Sequence, residues 1–368
     1  MKRHIFLPML LAAIIMAPQT QAKSRKYNLE NPQVKAFYDQ VTYPDDDYSY
    51  SLVKKYNQKM PYRLDQPWPV QLSWESTQLS DHLRVTVKEV KPEQKTVLDK
   101  TIDGHTSSYL VWNLIPGRTY SYTVIDGERT LAKGKFQTTG RRRMIYAPSV
   151  HNFRDLGGLP TTDGHTLQYG KIYRGGQLTH TGDGEKKDTV LYQVSDEDIR
   201  LMHDDLGIRA EIDFRFDGEL GYNDGIEGND INFTPLGSDA TYYNYQTHHA
   251  GGIEKDKLHG QILKTVLQYL RRGEAVYVHC VAGADRTGLM CLLMEGLLGV
   301  SESDLMKDYE LTTFSIYGHR HRDGRDMTHG VPILKAYPGN TLQEKIASLF
   351  LEEGVTQQEI DEFRQLMR

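Results

Sequence analysis

The sequence predicts two domains, a small all-β sandwich followed by an α/β domain whose largely parallel sheet is flanked by helices. Three observations support this fold class. The chain has 368 residues of ordinary globular composition, which is long for one domain. Residues 61–139 contain short alternating apolar runs between turn residues. From residue 145 onward, strand-like runs alternate with runs of helical periodicity. We therefore expect a sandwich at 61–139 and an α/β domain at 145–368.

The N-terminus has the pattern of a secretory signal. Lys2-Arg3 precedes an apolar run at 5–17, and the small residues Thr20 and Ala22 stand just before the expected cleavage point. The run is too short to span a bilayer comfortably, and no cysteine follows it to carry a lipid. We expect a signal peptide at 1–22 and a secreted or periplasmic mature chain without stable membrane insertion. Residues 23–60 form a polar segment with one short helix expected around 33–41.

The sandwich is predicted from strand-like runs at 70–74, 83–87, 109–112, 119–124 and 134–138. The stretch at 114–124, Leu-Ile-Pro-Gly-Arg-Thr-Tyr-Ser-Tyr-Thr-Val, resembles the corner of fibronectin type III domains, as does Trp74 on an early strand. This region supplies no nucleophile and no metal-ligand cluster. A structural spacer or a ligand-binding module is the role it can support, and its partner is unknown.

A linker at 140–143 contains three arginines, expected to be solvated, and the α/β domain follows. Ser195 and the acids after it are typical of a helix start, and 208–215 of a buried strand. A helical pattern at 253–272 ends at Gly273, just before the next strand. Because ligands of parallel sheets bind beyond the carboxyl ends of strands, Asp213 and Cys280 mark the expected site.

The segment His279-Cys280-Val281-Ala282-Gly283-Ala284-Asp285-Arg286-Thr287-Gly288 lies between a β-branched strand pattern and an apolar helix pattern. Small residues and a glycine allow the backbone N–H groups of Val281, Ala282, Gly283 and Ala284 to converge before a helix N-terminus, which favours an anion. A cysteine in such a loop suits a thiolate nucleophile that faces a phosphate. The alternative is a buried core cysteine without chemistry.

Each step of phosphate-ester hydrolysis then has a candidate residue. Cys280 is the nucleophile, and Arg286 offers a planar fork for two phosphate oxygens. Thr287 either assists departure of the thiolate or simply opens the helix. Asp285 is the preferred proton donor, but Asp213 and Asp155 remain contenders, because hydrogen-bond reach cannot be measured from sequence. Asp213 is also expected to orient Arg286 or the loop.

The second domain resembles the bacterial cysteine-dependent tyrosine phosphatases whose loop has the form HCxxGKDRTG. The resemblance rests on this loop and on three earlier motifs, Asn152-Phe153-Arg154-Asp155-Leu156-Gly157-Gly158, Tyr173-Arg174-Gly175-Gly176 and Ile212-Asp213-Phe214-Arg215. It implies a metal-free, two-step hydrolysis through phosphocysteine, without a cofactor and with the loop aspartate as acid. Arg154 and Asp155 are also expected at the substrate-binding edge of the site.

One position departs from that pattern, because Ala284 stands where the family usually has a lysine. In the family this lysine is associated with phosphoinositide or multiply phosphorylated substrates, so its absence favours a phosphotyrosine substrate. A cationic segment at 319–325 could supply the charge from elsewhere, or could be a solvated turn.

Composition and residue spacing limit the partners, disulfides and metal sites that we expect. The net charge of −5 argues against nucleic acid as a partner. The two cysteines, Cys280 and Cys291, are expected to lie too far apart on one helix for a disulfide, which leaves Cys280 reactive and Cys291 packed. His248-His249 and the histidines at 319 and 321 lack a third ligand at a recognisable spacing, so no metal is expected. The expected partner is a phosphorylated protein, peptide or small phosphate ester. An inositol polyphosphate or phosphoinositide phosphatase and a non-enzymatic binding protein are the alternatives.

Overall fold

A computed structural model describes residues 25–40, 64–75, 80–181, 190–216, 233–248 and 252–368 of the chain. The expected signal peptide at 1–22 and residues 41–60 of the polar segment lie outside the described residues. The strands are β1 Arg25–Asn28, β2 Val70–Ser73, β3 His82–Lys91, β4 Thr96–Asp103, β5 Ser108–Val111, β6 Thr119–Asp126, β7 Arg129–Thr139, β8 Arg154–Asp155, β9 Ile172–Gly175, β10 Thr179–Thr181, β11 Val190–Gln193, β12 Ile208–Asp213, β13 Thr241–Asn244 and β14 Ala275–His279. The helices are α1 Pro32–Gln40, α2 Asp196–Arg200, α3 Gly252–Lys255, α4 His259–Arg271, α5 Asp285–Leu297, α6 Glu302–Glu310, α7 Arg325–Ala336, α8 Leu342–Glu352 and α9 Gln357–Leu366.

The first domain consists of two sheets that share one core. A five-stranded sheet of order β1-β7-β6-β3-β4 faces the pair β2-β5. Buried and exposed residues alternate along β3, as the side-chain period of a half-buried strand requires. Val85 and Phe136 of the larger sheet join Val70 and Val111 of the smaller one in this core.

The N-terminal polar segment is more closely integrated than the sequence suggested. Strand β1 pairs in parallel with the end of β7 and so extends the sheet of the first domain. Helix α1, close to the helix expected at 33–41, packs Val34 and Phe37 against Met144 and Phe314 of the second domain. The segment therefore contacts both domains, because its few apolar side chains are buried against them.

The second domain is built on a sheet of order β13-β12-β14-β9-β8, in which only β8 runs antiparallel. This arrangement confirms the expected α/β layer. Every residue of β14 and nearly every residue of β12 is buried, because helices cover both faces of the sheet. Asp213 pairs in register with His279, so the carboxyl ends of the two central strands lie side by side.

Helices complete this domain, and their ends follow the sequence signals. The Ser195 side chain accepts a hydrogen bond from the Asp198 backbone N–H, and α2 continues into a π-helical turn at Leu201–Asp205. Capping boxes begin α8 at Thr341 and α9 at Thr356. Helix α5 is buried on all sides, which matches its apolar sequence.

The joint between the domains differs from the expected solvated linker. Arg142 is fully buried and Arg143 is nearly so. Arg143 donates to the Asp155 carboxylate at 3.1 Å and to the Asn113 carbonyl of the first domain at 2.8 Å. The Asn113 side chain bonds both the N–H and the carbonyl of Tyr146. These arginines can be buried because carboxylates and carbonyls from both domains accept hydrogen bonds from their terminal nitrogens.

Candidate active site

The predicted loop connects the end of the central strand β14 to the start of α5. Cys280 follows β14 directly and is 3% exposed, and Arg286 in the first turn of α5 is 5% exposed. The 13-residue helix places its partial positive charge in front of this loop. The structure therefore brings the cysteine, the arginine and a helix N-terminus together, as the sequence predicted.

The loop backbone is held by groups that bind its carbonyls. The Val281 carbonyl accepts from the Gln177 N–H at 3.0 Å. The Asn152 side chain donates to the carbonyls of Ala282 and Gly283, both at 3.1 Å. Arg174 donates to the Gly283 carbonyl at 2.8 Å and to that of Ala284 at 3.3 Å. Because C=O and N–H point in opposite directions across a trans peptide, the N–H groups of 282–285 are directed away from these anchors. This arrangement can hold an anion without side chains.

Gly283 is required by the geometry of this loop. Its φ is +62°, in the left-handed region that glycine tolerates. A Cβ atom at this position would lie 1.9 Å from the Gly175 carbonyl oxygen at the end of β9. The loop therefore packs directly on the neighbouring strand, and any side chain at 283 would push the two apart.

His279 contacts both the backbone of Cys280 and the neighbouring strand β12. Its Nε2 lies 2.8 Å from Oε1 of Glu211 on β12, and its Nδ1 lies 3.0 Å from the Cys280 carbonyl oxygen. Both side chains are fully buried. The imidazole thus connects the backbone of Cys280 to the neighbouring strand and limits its movement.

The loop's arginine and threonine lie in the first turn of α5. Arg286 Nη1 donates to the Phe214 carbonyl at 3.2 Å, so the carbonyl that follows Asp213 helps to place this guanidinium. Thr287 is fully buried, and its Oγ1 has no hydrogen-bond partner among the described residues. A buried, unpaired hydroxyl in this turn is consistent with the expected interaction with the sulfur during the reaction.

The three candidate acids occupy different environments. Asp285 begins α5 and is 13% exposed, next to the loop. Asp213 is fully buried and accepts from Arg215 Nε and Nη2 and from the Tyr242 hydroxyl. Burial would raise the pKa of Asp213, but the charges of Arg215 and His279 outweigh burial and hold it at about 2. The Asp213 carboxylate is thus engaged by Arg215 and Tyr242 at the carboxyl end of β12.

Asp155 and Arg154 are corrections to the expected substrate-binding edge. Asp155 is fully buried, and its carboxylate accepts from Arg143 and from the backbone N–H groups of Gly157 and Gly170. Arg154 is also fully buried. Neither side chain can reach a substrate, because each is enclosed by protein groups that satisfy its charge.

Arg154 instead belongs to a buried cluster centred on Asp308 of α6. The Asp308 carboxylate pairs with Arg142, with Arg154 Nε at 2.9 Å and with Arg174 Nη1 at 2.6 Å. Arg154 also donates to the Asn152 side-chain oxygen at 2.5 Å. Asn152 and Arg174 donate hydrogen bonds to the loop carbonyls, and both are also bound by members of this cluster. The cluster therefore limits movement of the loop. Arg154 and Arg174 belong to motifs identified in the sequence. Their contacts with Asp308 could not be predicted, because Asp308 is distant from both in the chain.

The segment 315–322, which follows α6, covers the loop from the other side. Tyr317 packs on Ala282 and Ala284, and its ring lies edge-on to His151. Arg320 pairs with Asp285, with Nε to Oδ1 at 2.6 Å and Nη2 to Oδ2 at 2.9 Å. Ala284 is fully buried beneath this segment, so a long side chain at 284 would displace Tyr317. The sequence singled out the cationic segment, but not its contact with the loop.

Cys291 lies inside α5 and is fully buried. Burial raises the pKa of its thiol to about 12, against the opposing charge of Arg174. Both cysteines are free thiols. Cys291 is therefore protonated at neutral pH and packed in the core, as expected for an inert thiol.

Within the described residues, no cluster of three or more histidine, cysteine or acidic side chains is arranged to hold a metal ion. The same part of the chain contains no helix that is both long and apolar enough to cross a membrane.

The loop therefore combines a thiol, an arginine and backbone carbonyls that are anchored away from the site. This arrangement is suited to binding an anion next to the cysteine. A sequence profile of the tyrosine phosphatase family matches residues 145–350, more than half of the chain, and the chain therefore belongs to this family. A Cupriavidus necator protein with the provisional name tyrosine-protein phosphatase is 24% identical over 194 residues, which cover 46% of this chain and 63% of that protein. The chain thus spans less than two thirds of this relative.

Two solved structures of P. aeruginosa TpbA share limited similarity with the chain. One has 17% identity and a TM-score of 0.32, and covers 51% of this chain and 89% of TpbA. The other, a cysteine-to-serine variant in complex with pTyr, has 15% identity and a TM-score of 0.31, with coverages of 52% and 91%. These TM-scores are too low for either structure to bear on the substrate of the chain.

Proposed function

We propose that the chain is a secreted, cysteine-dependent protein-tyrosine phosphatase that hydrolyses phosphate monoesters through a phosphocysteine intermediate. The observation that carries the proposal is the loop at 280–286, where Cys280 is followed by peptide units whose carbonyls are anchored and whose N–H groups point away from these anchors. Arg286 closes the other end of this loop. Membership of the tyrosine phosphatase family supports the same activity.

In the first step, the Cys280 thiolate attacks phosphorus as the bond to the leaving oxygen breaks. The loop N–H groups and the fork of Arg286 stabilise the charge on the equatorial oxygens. Asp285 is the proposed acid, because it alone of the three candidates combines partial exposure with a position on the loop, and it protonates the leaving oxygen.

In the second step, water attacks phosphorus and the sulfur–phosphorus bond breaks. The Asp285 carboxylate takes the water proton, which restores the acid, and inorganic phosphate leaves. Thr287 is proposed to donate a hydrogen bond to the departing thiolate, since its buried hydroxyl has no described partner. No metal and no cofactor enter this sequence.

Hydrolysis of a small aryl phosphate tests this chemistry. Cys280→Ser should abolish turnover, and Arg286→Lys should lower it by about 100-fold or more, because lysine lacks the planar fork. Rapid denaturation at alkaline pH, where the sulfur–phosphorus bond is stable, should recover phosphate bound to Cys280 in the wild type. Turnover that survives in Cys280→Ser would exclude the mechanism, and a wild type without turnover would favour a binding protein.

An inositol polyphosphate or phosphoinositide substrate is the second candidate. One observation favours it: Arg320 brings a cation to the loop beside Ala284, where the loop's own lysine is missing. Phosphotyrosine remains preferred, since Arg320 is already paired with Asp285. Phosphate release from a phosphotyrosine peptide and from an inositol hexakisphosphate, at equal concentrations, decides between them. A higher kcat/KM for the inositol phosphate would reverse the preference.

Export and the domain assignment complete the proposal. We infer a signal peptide at 1–22, which predicts that the exported protein starts at Lys23 when its N-terminus is sequenced. We also infer that the domain at 61–139 is fibronectin type III-like and acts as a scaffold for the phosphatase domain at 145–368. The contacts of Asn113 with Tyr146 and Arg143 support this scaffold role.

A further inference from the structure

Arg320 is held rigidly at the edge of the loop. Its backbone N–H donates to the Thr313 hydroxyl at 2.9 Å, and the same hydroxyl donates to the Arg320 carbonyl at 2.8 Å. Its Nη1 donates to the His319 carbonyl at 3.0 Å, while Nε and Nη2 donate to Asp285. All three guanidinium nitrogens are therefore bonded, and the side chain is only 22% exposed. Such a group is fixed in one orientation.

The Asp285 carboxylate is correspondingly fixed. Besides the two bonds from Arg320, its Oδ1 accepts from the Tyr309 hydroxyl of α6 at 3.0 Å. Asp285 is also the first residue of α5, where the helix dipole favours negative charge. A nearby cation, a donated hydrogen bond and a helix N-terminus all stabilise the ionised carboxylate. A proton donor must instead be protonated when the substrate arrives.

We propose that Arg320, acting with Tyr309, is a positioning residue that orients the acid Asp285 and sets the pH range in which it can donate its proton. This inference rests on the proposed function and deepens it. Arg320 makes Asp285 a stronger acid once protonated, but reduces the protonated fraction near neutral pH. Turnover of substrates with poor leaving groups is therefore greatest at acidic pH.

The charged and titratable groups around the pair must be considered together. Burial lowers the pKa of Arg320, but the hydrogen bond and charge of Asp285 outweigh burial, so Arg320 stays cationic. Cys280 of the loop and Tyr309 of α6 act on Arg320 through their charges, and Tyr309 also donates a hydrogen bond to Asp285. Arg286 follows Asp285 in the chain, and His319 and His321 flank Arg320. Since imidazoles in general titrate near neutrality, a pH profile alone does not identify Asp285, and a double-mutant cycle is needed.

The experiment measures kcat/KM against pH for 4-nitrophenyl phosphate and phenyl phosphate. The variants are Arg320→Gln, Asp285→Asn and the double variant. Arg320→Gln should move the alkaline limb for phenyl phosphate upward by about one pH unit, because a neighbouring cation typically shifts a carboxyl by one unit or more. The limb for 4-nitrophenyl phosphate should move less, since its leaving group needs no acid. In the Asp285→Asn background, Arg320→Gln should change kcat/KM by less than about two-fold.

Matched variants distinguish the effect of the Arg320 geometry from the effect of its charge and from a loss of folding. Arg320→Lys keeps the charge but loses the fork, so it should leave the limb near that of the wild type and lower kcat. Tyr309→Phe is nearly isosteric and should move the limb upward by a smaller amount, which tests the proposal even if Arg320→Gln does not fold. Arg271→Gln is the control, because Arg271 forms a bidentate pair with Glu362 on the surface. It should change neither the limb nor kcat.

An unmoved alkaline limb in both Arg320→Gln and Tyr309→Phe would overturn the proposal. Equal losses from Arg320→Gln with and without Asp285 would also overturn it, since Arg320 would then act independently. Failure of the proposed function has a different signature, namely turnover that persists in Cys280→Ser.

Discussion

Replacement of Asp308 by asparagine should destabilise the phosphatase domain by about 3 kcal/mol, at the lower end of the 3–5 kcal/mol observed when one partner of a buried ion pair is removed. Asp308 is 2% exposed and pairs with Arg142, Arg154 and Arg174, each of them fully buried. Together these charges lower its pKa far below the usual range, although burial alone would raise it. The variant leaves three buried guanidiniums without their shared anion.

We expect the lower end of this range of destabilisation because the cluster contains a second acid, Glu295. It lies 3.6 Å from Arg142, and burial together with the charge of Asp308 raises its pKa to about 8. Without the Asp308 charge, Glu295 ionises more readily and replaces part of the missing anion. In a domain of this size, a loss of about 3 kcal/mol corresponds to a fall in Tm of roughly 6–12 °C.

The two domains can be followed separately by their optical signals. The three tryptophans, Trp68, Trp74 and Trp112, precede residue 140, and Trp112 stacks on Tyr146 of the second domain, so their fluorescence reports the first domain and its contact with the second. Far-UV circular dichroism reports the helices, most of which follow residue 195. Asp308→Asn should shift the circular dichroism transition by the stated amount and the fluorescence transition by less. Arg142 joins the cluster from the linker, so a small coupled shift in fluorescence is expected.

Asp99→Asn is the matched control. Asp99 receives a bidentate bond from Arg84 at 2.8 and 2.6 Å on the exposed strand β4. Solvent screens this pair, so its loss should leave both transitions nearly unchanged. A shift below about 1 kcal/mol in Asp308→Asn, no larger than that of the control, would refute the view that this cluster holds the domain together.

Three further predictions follow from the described contacts. Gly283→Ala should lower kcat/KM by about 100-fold, because its Cβ would lie 1.9 Å from the Gly175 carbonyl oxygen and displace the loop. Steady-state kinetics measures this loss, and near-normal activity would contradict the assigned backbone geometry. Iodoacetamide should leave Cys291 unmodified in the native protein and modify it after unfolding, since its thiol is buried with a pKa of about 12. Mass spectrometry of the tryptic peptides checks this, with Cys280 as the internal comparison. Glu295→Gln should remove a loss of stability between about pH 5 and pH 8. The folded protein keeps the Glu295 proton in this range and the unfolded chain does not, so wild-type stability falls as pH rises, by at most about 1.4 kcal/mol per pH unit for one proton. Denaturant midpoints across this range measure the difference, and parallel profiles would count against it.

The elements that could be predicted are those whose signals are local. Strand β3 alternates buried and exposed residues, and the loop at 280–286 carries its small residues, cysteine and arginine within one short run. Strands β1 and β4 were not predicted. Strand β4 is exposed or half-buried at every position, so its sequence contains no alternation, and β1 is a polar strand that pairs with residues more than 100 positions away.

Burial of the arginines was the least predictable feature. Arg142, Arg143 and Arg154 resemble solvated or substrate-binding residues in sequence, because charged side chains are seldom fully buried without partners. Asp308, the shared partner of Arg142 and Arg154, follows Arg142 by 166 positions and Arg154 by 154, and Arg143 pairs with Asp155 instead. Sequence periodicity contains no information on such pairings, whereas in the folded chain two buried carboxylates pair with these three arginines.

The position at Ala284 shows why a missing lysine has to be interpreted together with the segment that covers it. The absence of a lysine there suggests a loop with one cation fewer than its relatives. In the folded chain, Tyr317 occupies the space above Ala284, and Arg320 from the same segment places a guanidinium on the adjacent Asp285. The charge is thus supplied from a different part of the chain, but it is directed at the acid rather than held free for a second phosphate. Under the proposed function, the segment 315–322, more than the loop itself, orients Asp285 and sets the pH range in which this acid donates its proton.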